Sequence, residues 1–392
     1  MFLETTRSNN TALIKAAIEL HKQGAIMPDT YVLDYDSLMH NARLIKQQAD
    51  NYGISLYFMT KQFGRNPYIA ARLMELGYEG AVAVEYKEAK LLAENGIKLG
   101  HVGHLSQIPS HGIIPLLKQG VDIVTVYSVE KAQEISRAAG MLDIKQKVML
   151  RVLGSNDVLY PGQYGGFTLD KLPEAAEKIA SMNNIDIDGL TSFPCFLFDV
   201  QKQVIQATPN VDTINEANEI LKGKLGINIS QLNMPSATCS NSIPLIAAAG
   251  GTHGEPGHGL LGTTPLHAAM QQPETPSIVY LSEVSHQLGN VSYCYGGGYY
   301  PRSHMENALV GKSFDSMQLV GVEKVKSDSI DYYIGLKCRA EIGDTVLFAF
   351  RAQIFVTRST VAVVKGIHGN TPQIIGIYDS LGHLLKQGET FE

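Results

Sequence analysis

SLYFMTKQFGRNPYIAARLMELGYEGAVAV, residues 55–84, is the stretch whose reading decides the fold. Leu56–Met59 is an apolar run of strand length, Pro67–Leu76 carries helical spacing, Gly77 stands where a left-handed C-cap belongs, and Gly80–Val84 begins a second apolar run. Strand, helix and strand in that order require a right-handed parallel crossover. The same grammar extends in both directions. Strands are expected at Tyr31–Leu33, His101–Val102, Ile123–Val126, Val148–Val152, Gly189–Phe193, Leu232–Met234 and around Thr252. Helices are expected at Lys87–Asn95, Val129–Ala139, Lys171–Met182 and Thr213–Leu221, with glycine caps at Gly96 and Gly140. About eight such units in roughly 250 residues is the size of a closed β/α barrel, the TIM barrel.

Near Gln272–Pro276 the pattern changes to short strands punctuated by Gly and Asp: Ile278–Glu283, Val291–Tyr295, Leu319–Val325, Tyr332–Leu336, Thr345–Phe350, Thr360–Val364 and Ile374–Tyr378. The expected organisation is a β/α barrel over 1–274 followed by a C-terminal mostly-β domain over 275–392, since 392 residues exceed what one core usually serves.

A hydrophobic share of 44%, a charged share of 18% and a formal net charge of −6 with mixed signs give no basic surface for nucleic acid. Gly, Pro or charge interrupts every apolar run, so no membrane span is expected. The start, MFLETTRSNNTALIKAA, does not read as a signal peptide. Cys195, Cys239, Cys294 and Cys338 lie far apart with no CxxC, which suits a reduced, cytoplasmic enzyme.

In a β/α barrel, chemistry sits at the carboxyl ends of the strands. Lys61 follows the run Tyr57–Thr60 and would project into the barrel mouth, where an amine can form an imine with an aldehyde cofactor. By position alone it also reads as a solvated loop lysine. Gly257, Gly259 and Gly262 spell G-x-G-x-x-G, but the next helix is expected to open at Thr264-Pro265 and the string follows the last barrel strand. A nicotinamide site is therefore not expected. In a barrel, such a late glycine loop holds a phosphate on its backbone N–H groups.

The order Lys61, Gly165-Gly166-Phe167, Met234-Pro235-Ser236-Ala237-Thr238 and Glu255-Pro256-Gly257 resembles the fold-type III enzymes that use pyridoxal 5′-phosphate (PLP). These are the alanine racemases, D-serine dehydratases and eukaryotic-type ornithine decarboxylases, and the overall likeness is to the bacterial YhfX-type PLP-binding proteins. Tyr31–Asp34 with Leu38 and Asn41 looks like their first strand and helix, Gly80–Ala89 like the segment after the lysine unit, and Val148–Val152 like their "lRv" strand.

The resemblance implies that Lys61 is the Schiff-base lysine and a proton carrier. It implies that Ser236, Ala237, Thr238, Gly257 and His258 hold the phosphate. Glu255 takes the place of an arginine in alanine racemases, and in the decarboxylase group a Glu-Pro-Gly triplet puts a carboxylate there. A carboxylate favours the protonated ring nitrogen and so a stronger electron sink. Phe193 stands where many relatives carry a histidine against the ring; a phenyl ring can stack but cannot titrate. Arg151, at a strand end, suits a substrate carboxylate, the cofactor's phenolic oxygen or a neighbouring acid. Arg302 is a further candidate. The opposite-face acid is expected at Tyr293, in Val291-Ser292-Tyr293-Cys294, with Cys294 as the second choice; relatives supply this group from the partner subunit.

His101-x-x-His104 and His253-x-Glu255-x-x-His258 offer metal-ligating side chains without the partner spacing of a known site, so no metal is expected. The leading expectation is an amino acid racemase working as a head-to-tail homodimer. The alternatives are a PLP-dependent decarboxylase or β-eliminating lyase, a PLP-binding protein with little turnover and, more remotely, a metal-dependent barrel hydrolase.

Overall fold

The computed structural model describes residues 2–326 and 329–388. The chain divides into two compact units: Arg43–Thr60 with Pro67–Gly257, and Met1–Ala42 with Lys61–Asn66 and His258–Glu392. They do not follow a single cut at residue 274.

In the first unit, eight parallel strands close on themselves. In order around the barrel they are Ser55–Met59, Gly80–Ala83, Leu99–Val102, Val121–Val126, Gln146–Leu153, Ile185–Thr191, Gln231–Asn233 and His253–Gly254, the last pairing back to the first. Their apolar residues are almost all buried on both faces, as expected of parallel strands covered by helices. Tyr57 fills the barrel interior: a Cβ added at Gly100 would meet its ring at 2.3 Å, so glycine is required there. Helices Pro67–Glu75, Tyr86–Glu94, Val129–Met141, Leu172–Ala180 and Pro209–Leu225 lie where periodicity places them, within a few residues. Gly77 and Gly96 have φ of +87° and +73°, as C-capping glycines should. Gly140 differs. It lies inside the helix Val129–Met141, and a Cβ there would meet the Asn184 side chain at 2.6 Å; close packing, not chain reversal, requires it.

The second unit is built on a sheet in the order Gln318–Gly321, Asn307–Gly311, Thr345–Phe348, Ile278–Leu288, Thr30–Asp34, Thr360–Lys365, Gln373–Tyr378 and Leu384–Gln387. Thr30–Asp34, which contains the run Tyr31–Leu33 read from the sequence as the opening barrel strand, is central in this sheet, antiparallel to Ile278–Leu288 and parallel to Thr360–Lys365. All five of its residues are buried, and a short run buried on both faces does not declare which sheet it joins. Helix Thr11–Lys22 covers this sheet with Leu13, Ile14, Ala17 and Ile18 against Val32, Leu281, Leu347 and Ala362. Each large aliphatic side chain buried this way contributes about 1.5–3 kcal/mol. Asn10 caps that helix, accepting from Leu13 N at 3.1 Å.

Among the described residues, no helix is long and apolar enough to cross a membrane.

Candidate active site

Polar side chains gather at the carboxyl end of the barrel. His101 is the penultimate residue of the third strand, Thr125 of the fourth; Arg151 lies near the end of the fifth; Thr191 and Asn233 end the sixth and seventh; Glu255 directly follows the eighth. All six are buried. Strand alternation aims such residues inward, where polar groups have no reason to be unless something polar meets them.

Glu255 is the hub. Its Oε1 accepts from Asn233 Nδ2 at 2.6 Å and from His101 Nδ1 at 2.6 Å, while its Oε2 has no hydrogen-bond partner. A carboxylate only accepts, so Nδ1 of His101 bears a hydrogen, and the 3.3 Å approach of Asn233 Nδ2 to that nitrogen is two donors sharing one acceptor. Burial alone would raise the Glu255 pKa. The positive potential of His101 and His104, with hydrogen bonds from His101 and Asn233, outweighs it and holds the pKa at about 2. Behind Glu255, its backbone N–H donates to Thr238 Oγ1 at 3.2 Å, and Met59 N donates to Pro256 O at 2.9 Å.

Arg151 is fully buried beside these groups. Its Nη1 donates to the Tyr127 hydroxyl at 2.8 Å, its Nη2 to the Gln163 carbonyl at 2.7 Å, and the guanidinium lies 5.1 Å from the Tyr127 ring centroid. Neither recorded partner is a carboxylate, and Nε has none. Together, Arg151 Nε, Thr191 Oγ1, Asn233 Oδ1 and Glu255 Oε2 are four buried, unpaired polar atoms at the ends of four consecutive barrel strands. Native interiors leave few such atoms, and a cluster of them marks a ligand position. The donor set fits pyridoxal phosphate: a bare carboxylate oxygen suits a ring N–H, and a buried cation suits an anionic oxygen.

The loop after the seventh strand holds Ser236 and Ala237 at φ of +116° and +50°, conformations that side-chain-bearing residues adopt when a site demands them. The Ser236 hydroxyl donates to the Phe196 carbonyl, so its oxygen is already committed locally. Phe193 meets His104 edge-on at 5.5 Å and Tyr160 at 5.5 Å. His104 in turn lies 5.0 Å from His101. Histidine is therefore present near Phe193, from the bend that follows the third barrel strand.

In the other unit, Lys61 opens the short 3₁₀ turn Lys61–Phe63, the continuation of the chain beyond the first barrel strand. Preceding it, Thr60 is buried and donates to the Glu88 carboxylate, which also accepts from Val84 N at 2.8 Å. His258 Nε2 accepts from Arg351 Nε at 3.1 Å and Gln353 Nε2 at 3.2 Å. Burial, then the charges of Arg351, Lys61 and His267, push its pKa well below the usual histidine value, so the ring is neutral with its hydrogen on Nδ1. Gly257 is buried and Arg302 exposed.

Tyr293 and Cys294 are neighbours on the strand Val291–Tyr295 and point to opposite faces. Tyr293 is half-buried, stacked on His286 at 5.0 Å. Cys294 is 0% exposed, and burial pushes its thiol up to about 12. A closed-off thiol of that kind cannot reach another subunit, which removes it as the second choice of acid.

Among the described residues, no group of three or more His, Cys, Asp or Glu is placed to hold a metal ion. His101 bonds to Glu255 instead, and His253 stacks on Tyr57 at 5.3 Å.

Residues 33–265 match the family described as alanine racemase, N-terminal domain, and residues 279–374 match the YhfX-like C-terminal domain. The "Uncharacterized protein YhfX" of Escherichia coli (strain K12) is 45% identical over 386 residues, 98% of this chain and 100% of that protein. Among solved structures, an alanine racemase of Clostridium difficile 630 in complex with cycloserine superposes with a TM-score of 0.64 at 15% identity, covering 90% of this chain and 98% of the other. D-threo-3-hydroxyaspartate dehydratase from Delftia sp. HT23 does so with a TM-score of 0.65 at 16% identity, covering 90% and 97%. At such identities the likeness to solved structures is one of fold.

Proposed function

Because the chain belongs to the alanine racemase N-terminal-domain family, whose members are PLP-dependent, we propose that it is an enzyme acting at the α-carbon of an amino acid, with racemisation as its leading reaction. The observation that carries this reading is the unpaired, ionised oxygen of Glu255 within the ring of orphaned polar atoms. When bound, the cofactor supplies an electron-withdrawing ring to the α-carbon of an amino acid.

The chain's own residues then divide the work. Glu255 holds the ring nitrogen's N–H, Arg151 faces an anionic oxygen of cofactor or substrate, and the amides of Ala237, Thr238, Gly257 and His258 receive the phosphate. Lys61 is the attachment amine and carries a proton to and from one face of the α-carbon. Tyr293, from a second copy of the chain in a head-to-tail dimer, carries it on the other. Tyr293, half-buried rather than closed off, supports racemisation, which needs a proton carrier on each face. A second reading, elimination or decarboxylation, is supported by the Glu255 carboxylate, which strengthens the electron sink beyond what racemisation requires.

The first experiment is an absorbance spectrum of the protein with PLP, before and after borohydride, beside Lys61→Ala. Wild type should show a protein-bound visible absorbance band that borohydride abolishes by trapping the adduct, and the variant should lack it. An unchanged trapped adduct in Lys61→Ala defeats the assignment. Incubation with amino acids in heavy water then separates reactions: α-proton exchange without release of carbon dioxide or ammonia supports racemisation, and release of either product supports the second reading.

A further inference from the structure

His101 is 0% exposed, and both ring nitrogens are engaged: Nδ1 lies 2.6 Å from Glu255 Oε1 and Nε2 lies 2.5 Å from Thr125 Oγ1. Thr125 can satisfy Nε2 in either protonation state, because a hydroxyl both donates and accepts. Threonine, histidine and glutamate thus form one connected chain across the third, fourth and eighth barrel strands. Asn233, from the seventh, adds a second N–H to the same Oε1 at 2.6 Å.

This arrangement is asymmetric. A glutamate side chain has a soft terminal torsion, and a lone carboxylate would exchange its two oxygens by rotation. Two N–H donors converging on Oε1, one of them on an imidazole itself tethered to Thr125, fix that rotation and leave Oε2 bare.

We propose that His101 is a positioning residue for Glu255: with Asn233 it locks the carboxylate in one orientation, so that Oε2 remains the oxygen available to the ring nitrogen of PLP. This rests on the cofactor reading above, and it adds a residue that the order of sequence motifs does not contain. His101 touches neither cofactor nor substrate in this scheme; it acts through Glu255. Thr125 orients His101 in turn.

A double-mutant cycle on cofactor affinity tests it. PLP is titrated into the apo-protein by absorbance for wild type, His101→Leu, His101→Asn, Glu255→Gln and the His101→Leu/Glu255→Gln double variant, with thermal unfolding followed alongside. His101→Leu removes the donor and should weaken PLP binding about tenfold, the worth of one charge-assisted hydrogen bond. His101→Asn keeps an N–H near the Nδ1 position and should recover affinity to within about threefold of wild type. In the Glu255→Gln background His101→Leu should cost nothing further, because residues acting through one another are non-additive. Additive losses, or an unchanged affinity in His101→Leu, overturn the role of His101 while leaving the cofactor reading intact. Failure of wild type itself to bind PLP overturns the cofactor reading, and the inference with it. Should His101→Leu not fold, Thr125→Val takes its place in the cycle, with an expected loss of about threefold that again vanishes with Glu255→Gln.

Discussion

Asp34 and Glu255 are both fully buried carboxylates, and their hydrogen bonds set them apart. Asp34 Oδ1 accepts from Ser37 N at 3.2 Å; its Oδ2 accepts from Asn10 Nδ2 at 2.8 Å, Ser37 Oγ at 2.6 Å and His368 Nε2 at 2.9 Å. Both oxygens are occupied, and the donors come from Asn10 at the cap of Thr11–Lys22, from the helix Tyr35–Tyr52 and from the 3₁₀ turn Ile367–Gly369. Glu255 crowds two donors on one oxygen and leaves the other bare. A carboxylate that serves folding is surrounded when the chain folds. One that serves a ligand keeps an acceptor in reserve, and the cost of that reserve is returned when the ligand's donor arrives.

The most forceful way to break this comparison is to delete each carboxylate and ask what is lost. Asp34→Ala strands several donors at once and should lower the free energy of unfolding by about 3–5 kcal/mol, with PLP affinity per folded molecule unchanged. Glu255→Gln should lower stability by no more than about 3 kcal/mol but weaken PLP at least about tenfold. Denaturant unfolding and cofactor titration on the same samples check both. If Glu255→Gln costs stability on the scale of Asp34→Ala and leaves affinity alone, Glu255 is structural, and the contrast between the two carboxylates disappears.

A second pair sharpens the same distinction within one strand. Tyr293→Phe should reduce turnover about a hundredfold or more, if its hydroxyl carries a proton at the α-carbon. Cys294→Ala should change turnover by less than about threefold and cost about 1 kcal/mol of stability, as small core truncations do. Cys294 should also resist alkylation in the folded protein, whereas half-exposed Cys338 reacts. Turnover that falls in Cys294→Ala and survives in Tyr293→Phe would reverse the assignment.

Much of this was legible in the amino-acid order, and the gaps have physical reasons. The barrel strands were readable because an apolar run, a helical period and a glycine stop repeat locally. Lys61 and Glu255 were singled out from their place beside a strand end and within Glu-Pro-Gly. His101 and Asn233 were not singled out as partners of Glu255, because they stand 154 and 22 residues from it and only barrel closure brings them together. A usable signal did exist: each is a polar side chain within an otherwise apolar strand candidate of a barrel, and barrels keep their chemistry at strand ends. Thr30–Asp34 was misplaced for a related reason. Its parallel partner Thr360–Lys365 lies at the other end of the chain, and nothing in five buried residues encodes that choice.

The smallest expected effect is in acid, and it again divides the two kinds of carboxylate. Burial pushes the Glu255 pKa upward, but the pull of His101 and His104 and the two hydrogen bonds bring it to about 2, below the ordinary 4.5. A carboxyl whose pKa is depressed by folding holds its proton less tightly in the folded chain than in the unfolded one. It therefore contributes stability that is fully present above about 4.5 and is lost as the pH falls toward 2. For one such group, lowered from 4.5 to about 2, the contribution is on the order of 3 kcal/mol. Glu255→Gln cannot titrate, so the gap between wild-type and variant apo-protein stability should be constant above pH 5, narrow between about 4.5 and 2, and close at the lower end. Urea unfolding at a series of acidic pH values measures it. Two curves that stay parallel through that window would mean that Glu255 is not held ionised by its histidines, and the argument for a reserved, charged oxygen at the barrel mouth would fail with it.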